Sequence, residues 1–263
     1  RMNNKEALVL RSFSAGYGGE DVISDISLVL HQGETLCVVG ESGSGKSTLL
    51  LAIVGIDPAV RLTGGELIID GLHVEPLAEK ARHALCTSTF GMVFQNPAAS
   101  FNPIRSYEKQ FIAALKSHGK YDPETFSRSA AEVFARLGLP DTEKLLACRP
   151  YEMSGGMNQR IAIALALMLG QKILLADEPT SALDASTQLQ VALELKKLRD
   201  EGGTSQIIVT HNLALAQFLA DRIAVIYKGR IVECGSAARV LSAPEHEYTR
   251  SLIEVVPRLR GGA

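Results

Sequence analysis

The sequence predicts an α/β fold built on a largely parallel sheet. Three observations carry this. Short apolar runs of β type alternate with helical stretches. One such run, Thr35 to Val39, passes through a Gly/Ser-rich loop directly into a helix beginning at Lys46. A helix-rich stretch from about Asn96 to Gln159 then interrupts the alternation, and reads as a helical insertion into the α/β core. The 263 residues allow one large domain or a core with a sizeable subdomain. A chain of this length buries enough apolar surface to stand without disulfide or metal staples.

Taken in order, Leu8 to Phe13 and Ile26 to Leu30 are early strands, the second ending at the Gln32-Gly33 turn. Thr35 to Val39 is a short buried strand, followed after its loop by a helix to about Val54. Glu66 to Asp70 reads as a strand, with Asp70-Gly71 as a hairpin-type turn. Gly91 to Phe94 is a further buried strand. In the helical stretch, turns fall at Asn102-Pro103, Asp122-Pro123 and Arg149-Pro150. The core resumes with helix Asn158 to Leu169, strand Ile173 to Ala176, helix Ser186 to Asp200 and strand Gln206 to Thr210. Arg222 to Tyr227 and Arg230 to Cys234 form a hairpin around Lys228-Gly229, and one short helix is expected in the tail from Pro244.

Charge and cysteine usage exclude several classes. Lys and Arg number 27 against 29 Asp and Glu, so no global basic field favours nucleic acid. Cys37, Cys86, Cys148 and Cys234 stand apart, with no Cys-x-x-Cys pair to suggest a zinc ribbon, an iron–sulfur cluster or a secreted disulfide framework. The chain is therefore expected to be reduced and intracellular. The apolar run Ile161 to Gly170 is too short to cross a bilayer, so work at a membrane would require a partner.

The strongest motif is Gly40-Glu41-Ser42-Gly43-Ser44-Gly45-Lys46-Ser47, followed by Thr48. It matches the phosphate-binding loop pattern between a strand and a helix, which arises by chance in only about one chain in a hundred of this length. Its glycines let backbone N–H groups approach phosphate oxygens, aided by the helix N-terminus. Lys46 is the candidate for the β- and γ-phosphates, and Ser47 for Mg²⁺. Next comes the apolar strand ending in Asp177-Glu178. There Asp177 fits a water-mediated Mg²⁺ ligand, and Glu178 fits a group that polarises the attacking water.

A third motif narrows the class. Met153-Ser154-Gly155-Gly156-Met157-Asn158-Gln159-Arg160 opens an apolar helix and resembles the signature of ATP-binding cassette (ABC) proteins. Physically it offers a second anion site, from a serine hydroxyl, two close-approach glycines and a positive helix end. The resemblance runs from about Leu8 to Pro257 and implies a P-loop NTPase cassette with an antiparallel β subdomain beside the parallel core. It implies that Gln95 senses Mg²⁺ and the water, His211 reaches the γ-phosphate, Asp184 belongs to the loop facing an opposing subunit, and Tyr17 stacks on adenine. The implied division is a core of residues 1–95 and 160–243, a helical signature subdomain at 96–159 and a short tail at 244–263.

Within the family the chain looks most similar to ATPase subunits of the peptide and nickel importers. Phe94-Gln95-Asn96-Pro97, Ser100-Phe101-Asn102-Pro103, Met157 and Pro244-Glu245-His246-Glu247-Tyr248-Thr249 carry that likeness. Met157 stands where most cassettes have glutamine. Many peptide-importer ATPases also continue beyond the Tyr-Thr element, some with a cysteine cluster, which this chain lacks. The resemblance implies ATP and Mg²⁺, and a second ABC ATPase subunit, often a related but different chain. It further implies two transmembrane permease subunits, an external solute-binding protein, and a peripheral place on the cytoplasmic face of the inner membrane. The alternative is a non-transport ABC ATPase of a soluble complex, of the carbon–phosphorus lyase-associated type.

Overall fold

The computed structural model describes residues 5–75, 77–96 and 100–254. Pro97, the last residue of the Phe94-Gln95-Asn96-Pro97 element, and the chain beyond residue 254 lie outside the described residues. Two sheets organise the rest. One is antiparallel, ordered β2-β1-β4-β5, from β1 (Glu6–Tyr17), β2 (Glu20–His31), β4 (Val60–Ile69) and β5 (Leu72–His73). The other is ordered β10-β9-β3-β8-β7-β6. It comprises β3 (Thr35–Val39), β6 (Phe90–Val93), β7 (Ile173–Asp177), β8 (Ser205–Thr210), β9 (Arg222–Tyr227) and β10 (Arg230–Ser236). All its pairings are parallel except β9 with β10. The expected α/β class with a mostly parallel sheet is what the chain adopts.

The first two strands run longer than the sequence pattern suggests. Ser12 (φ 44°) and Asp25 (φ 54°) sit in left-handed conformations, and the β1–β2 register shifts between Leu10 and Phe13. These bulges break the period-two alternation, so a reading based on alternation loses the strand there. Beyond the break, Phe13 and Ala15 are again fully buried.

Helix α1 (Lys46–Val54) agrees with expectation. Helix α2 (Glu79–Thr89) does not show in the sequence pattern: Cys86 and Thr89 are its only buried side chains among those described, too few for a recognisable stripe. The central stretch contains α3 (Tyr107–Ser117), α4 (Phe126–Arg136), α5 (Thr142–Ala147) and a 3₁₀ turn at Pro150–Glu152. Helix α6 (Gly155–Leu169) begins earlier than Asn158, because Ser154 caps it by accepting the Met157 N–H at 3.3 Å. It runs unbroken across the expected 159/160 boundary. Then follow α7 (Ala185–Asp200), α8 (Leu213–Leu219), α9 (Ala237–Ser242) and α10 (Glu247–Glu254).

The parallel sheet is buried on both faces, which is why its strands read as continuous apolar runs. In β3, Leu36 and Val38 point into a core shared with α1 and the antiparallel sheet, including Leu49, Ile53 and Phe13. Cys37 and Val39 point the other way, into a core with Tyr107, Phe111, Phe134, Ile161 and Val191. Both cores therefore grip one short strand, and that strand delivers Gly40. At roughly 25 cal/mol per Å² of buried apolar surface, such two-sided burial makes β3 a stiff platform for the loop that follows. Among the described residues, no helix is long and apolar enough to cross a membrane.

Candidate functional site

The carboxyl ends of β3, β6, β7 and β8 open into one cleft of about 610 Å³. Ligands in open α/β sheets bind at such strand ends. Each strand contributes chemistry through the residues just past it. After β3 comes the loop at residues 40–45, after β6 Gln95, at the end of β7 Asp177 and Glu178, and after β8 His211.

The loop's glycines are needed where they stand. A Cβ on Gly40 would meet the Ile226 carbonyl oxygen at 2.3 Å, and Gly45 has φ 101° just before α1. A Ser44 N–H to Glu41 carbonyl bond of 3.2 Å tightens the turn, and the Gly45 carbonyl accepts from Leu49 at 2.9 Å to start the helix. Lys46, Ser47 and Thr48, the first residues of α1, line the cleft; the first N–H groups of a helix have no partners within it, so an anion is favoured there. Lys46 is buried, and its Nζ donates to the carbonyl oxygens of Gly40 (2.8 Å) and Glu41 (2.7 Å). Burial pulls the Lys46 pKa below the usual lysine value, against the pull of Glu178, Asp177 and Glu41. The loop thus holds a desolvated cation on two weak acceptors, ready for a stronger one.

Asp177 and Glu178 form the opposite wall. Burial pushes the Asp177 carboxyl above its usual range and Glu178 adds to this, while the Ser47 hydroxyl and Lys46 pull it back. Its Oδ1 is buried with no hydrogen-bond partner. An orphaned carboxylate oxygen beside a serine hydroxyl suits a hard divalent cation. Among the described residues, no group of three or more His, Cys, Asp or Glu could hold a metal.

Glu178 is held by its backbone. It has φ 49°, its N–H donates to the Val209 carbonyl at 2.9 Å, and its carbonyl accepts from Gln159 Nε2 (3.0 Å) and Ser181 Oγ (3.0 Å). A left-handed glutamate is costly, and this one is fixed by strand β8, helix α6 and the following turn together. Its carboxylate oxygens lie 2.7 and 2.6 Å from His211 Nδ1. The His211 ring is mostly exposed toward the cleft mouth, whereas the Glu178 side chain is buried.

Gly40, Ser42, Gly43, Gly45, Lys46, Ser47, Thr48, Gln95, Asp177, Glu178 and His211 thus meet in one cleft. The other expected residues stand apart from it. Tyr17 ends β1 at a Gly18-Gly19 turn, 39% exposed. Ser154 and Gly155 form the exposed N-terminus of α6, and a Cβ on Gly155 would meet nothing within 4 Å. Gly156 backs onto the Ala182-Leu183 loop, and Asp184 caps α7 by accepting from the Thr187 N–H at 3.1 Å and hydroxyl at 2.7 Å. Those bonds, the hydroxyl first, hold the Asp184 carboxyl below its usual range.

A family profile described as "ABC transporter" matches residues 23–181, which span the loop, Gln95, the Ser154-Gly155-Gly156 turn and the Asp177-Glu178 pair. The chain belongs to the ABC transporter family. It is an ATP-binding, ATP-hydrolysing cassette of that family. It is 40% identical over 246 residues to the "Oligopeptide transport ATP-binding protein OppD" of Bacillus subtilis (strain 168), covering 92% of this chain and 69% of that protein. It is 38% identical over 236 residues to the "Dipeptide transport ATP-binding protein DppD" of Escherichia coli (strain K12), covering 89% and 72%. Among solved structures it superposes with the post-hydrolysis dimer of the ATP-binding cassette MJ0796 bound to ADP and Pi. The TM-score is 0.77 at 29% identity, covering 88% of this chain and 98% of that one.

Two cassette residues at or near the site are given no role by the sequence, although Gln159 stands within the Met153-to-Arg160 motif. Gln159 is fully buried and reaches the Glu178 carbonyl from α6, with its own Oε1 left unpartnered. Its signal is a polar side chain opening an otherwise apolar helix. Leu252 of α10 lines the cleft although it lies some 200 residues from the loop, and nothing in its local pattern marks it.

Proposed function

We propose that this cassette is the ATP-hydrolysing subunit that powers import of small peptides through partner permease subunits. The observation that carries the hydrolytic part is the convergence of Lys46, Asp177, Glu178, Gln95 and His211 on one cleft. The solute rests on relatives named for oligopeptide and dipeptide transport. Nickel or metal chelates are the competing solutes, and neither of those two names favours them.

In this reading Lys46 leaves its loop carbonyls for the β- and γ-phosphates, and the loop and first-turn amides bind the phosphate oxygens. Tyr17 stacks on adenine. Ser47, Asp177 and Gln95 would hold Mg²⁺, which would neutralise charge on the phosphates. Glu178 accepts the proton of the attacking water, and His211, fixed by Glu178, reaches the γ-phosphate. The exposed Ser154-Gly155-Gly156 turn and Asp184 are used by the opposing subunit, whose ATP they cover. Their distance from this chain's own cleft supports that head-to-tail arrangement.

The reading divides the chain into a core (1–95 and 160–243), a helical subdomain (96–159) and a tail (244–263), with α6 running through the boundary between the first two. Helices α3 and α4 pack through Phe111 and Phe134 against the core that includes Ile161 of α6, so motion of the helical subdomain would be felt at the signature turn. That subdomain docks the permease, which places the chain on the cytoplasmic face of the inner membrane without crossing it. A second cassette, two permease subunits and an external solute-binding protein complete the machine. The test is reconstitution of the assembly in liposomes, with ATP turnover measured as loaded binding proteins are added. Stimulation by a short-peptide-loaded binding protein is expected. Stimulation by a nickel-chelate-loaded one alone would replace the solute, and stimulation only by a sugar or amino-acid binding protein would overturn the reading.

A further inference from the structure

The Pro244-to-Thr249 element has no role in the chemistry above, yet it is anchored with care. Glu233 of β10 is buried, and its carboxylate oxygens accept the N–H groups of Glu245 and His246, each at 3.0 Å, at the start of α10. His246 Nδ1 accepts the Tyr248 N–H at 3.1 Å, and Thr249 is buried. The element therefore fixes the angle at which α10 leaves the sheet. That angle carries the helix back across the phosphate loop.

Tyr248 stacks on Tyr227 of β9, with ring centroids 4.2 Å apart, and its hydroxyl accepts the Glu41 N–H at 2.9 Å. Glu41 is thereby gripped at both ends of its residue, since its carbonyl receives Lys46 Nζ at 2.7 Å. The neighbouring β9–β10 turn grips the other side of the loop, where the Gly229 N–H donates to the Ser44 carbonyl at 3.1 Å. One turn along α10 from Tyr248, on the same helical face, Leu252 lines the cleft shared by Gly40, Lys46 and His211.

The geometry points to α10 as a working wall of the nucleotide site: Tyr248 is a positioning residue for the phosphate loop, and Leu252 contacts the bound nucleoside triphosphate. This rests on the reading of the cleft as the ATP site. The Tyr248 hydroxyl holds the Glu41 peptide in place as Lys46 exchanges that peptide's carbonyl for phosphate oxygens. Without it the loop entering α1 gains freedom that binding must then remove.

The test uses the full chain and the non-hydrolysable analogue adenylyl imidodiphosphate with Mg²⁺, titrated calorimetrically. Tyr248→Phe keeps the stacked ring and removes only the hydroxyl, and should weaken binding about three- to tenfold, the scale of one net hydrogen bond. Leu252→Ala should weaken it similarly, while Arg250→Ala, on the exposed side of the same helix, should not. Hydrogen exchange adds a readout that a merely structural helix would not move. The analogue should protect the 247–254 amides in the parent, and Tyr248→Phe should speed exchange at Glu41 in the free protein. Affinity within twofold of the parent for Tyr248→Phe or Leu252→Ala, while Lys46→Met loses binding, overturns the inference. Unchanged binding by Lys46→Met would instead overturn the assignment of the cleft.

Discussion

Replacing Lys46 by methionine separates what the residue does for binding from what it costs the fold. Methionine keeps an unbranched chain of similar length and removes the charge. In the free protein the ammonium makes two hydrogen bonds to the Gly40 and Glu41 carbonyls, at 2.8 and 2.7 Å, at a site only 7% exposed. Burial lowers its pKa, so the folded state holds that proton less tightly than the unfolded chain does. The charged form therefore subtracts stability at neutral pH. That cost is full below the folded pKa and fades as pH rises from there to the ordinary lysine value. Removing the charge relieves it, while the carbonyls of Gly40 and Glu41 lose their donor, which costs stability in the opposite sense. These opposing effects should leave stability within about 1 kcal/mol, or about 2–4 °C in Tm for a chain of this size. Binding has no such compensation. A hydrogen bond to a charged partner contributes about 1.5–3 kcal/mol, so ATP affinity should fall about ten- to hundredfold or more. Calorimetric titration with Mg²⁺-ATP, paired with thermal unfolding at pH 7 and pH 9.5, reads both effects. The parent should gain stability relative to Lys46→Met as pH rises. A variant that loses stability yet binds ATP normally would refute the reasoning.

Other outcomes follow from the same geometry. Ser154→Arg should leave ATP affinity within twofold, because Ser154 lies outside its own chain's cleft, but should abolish ATP-dependent pairing of cassettes in sedimentation measurements. Gln159→Leu should lower kcat about tenfold or more with little change in ATP affinity. It releases one donor from the Glu178 carbonyl, and misplacing a catalytic group by about 1 Å costs up to about a hundredfold. Its Tm should hold, since the substitution also removes the buried, unpartnered Oε1.

Much of this site is legible in the sequence because of where it sits. Strands β3, β7 and β8 are buried on both faces and so read as plain apolar runs, each ending where the polarity changes. Gly40 and Gly45 mark the loop because no side chain fits at the first and the second needs a positive φ. Features that depend on distant contacts are hidden. The bulges at Ser12 and Asp25 break the β1 and β2 pattern, and Asp25 is stabilised by its N–H donating to Ser14 Oγ across the sheet at 2.9 Å. Helix α2 carries too few apolar residues to announce itself. The α10 contact joins Glu41 to a tyrosine more than 200 positions away, which no local period can show. The expected core and helical segments also meet inside one helix, α6, so composition could not place that boundary physically.

The central claim is that Glu178, held in a left-handed conformation against His211, is the base for ATP hydrolysis in this cassette. Glu178→Gln tests it most directly, since the amide keeps the shape and loses the proton acceptor. Turnover of saturating Mg²⁺-ATP should fall at least about a hundredfold with ATP affinity unchanged, and the variant should accumulate as an ATP-bound pair. Turnover within twofold of the parent would contradict the account.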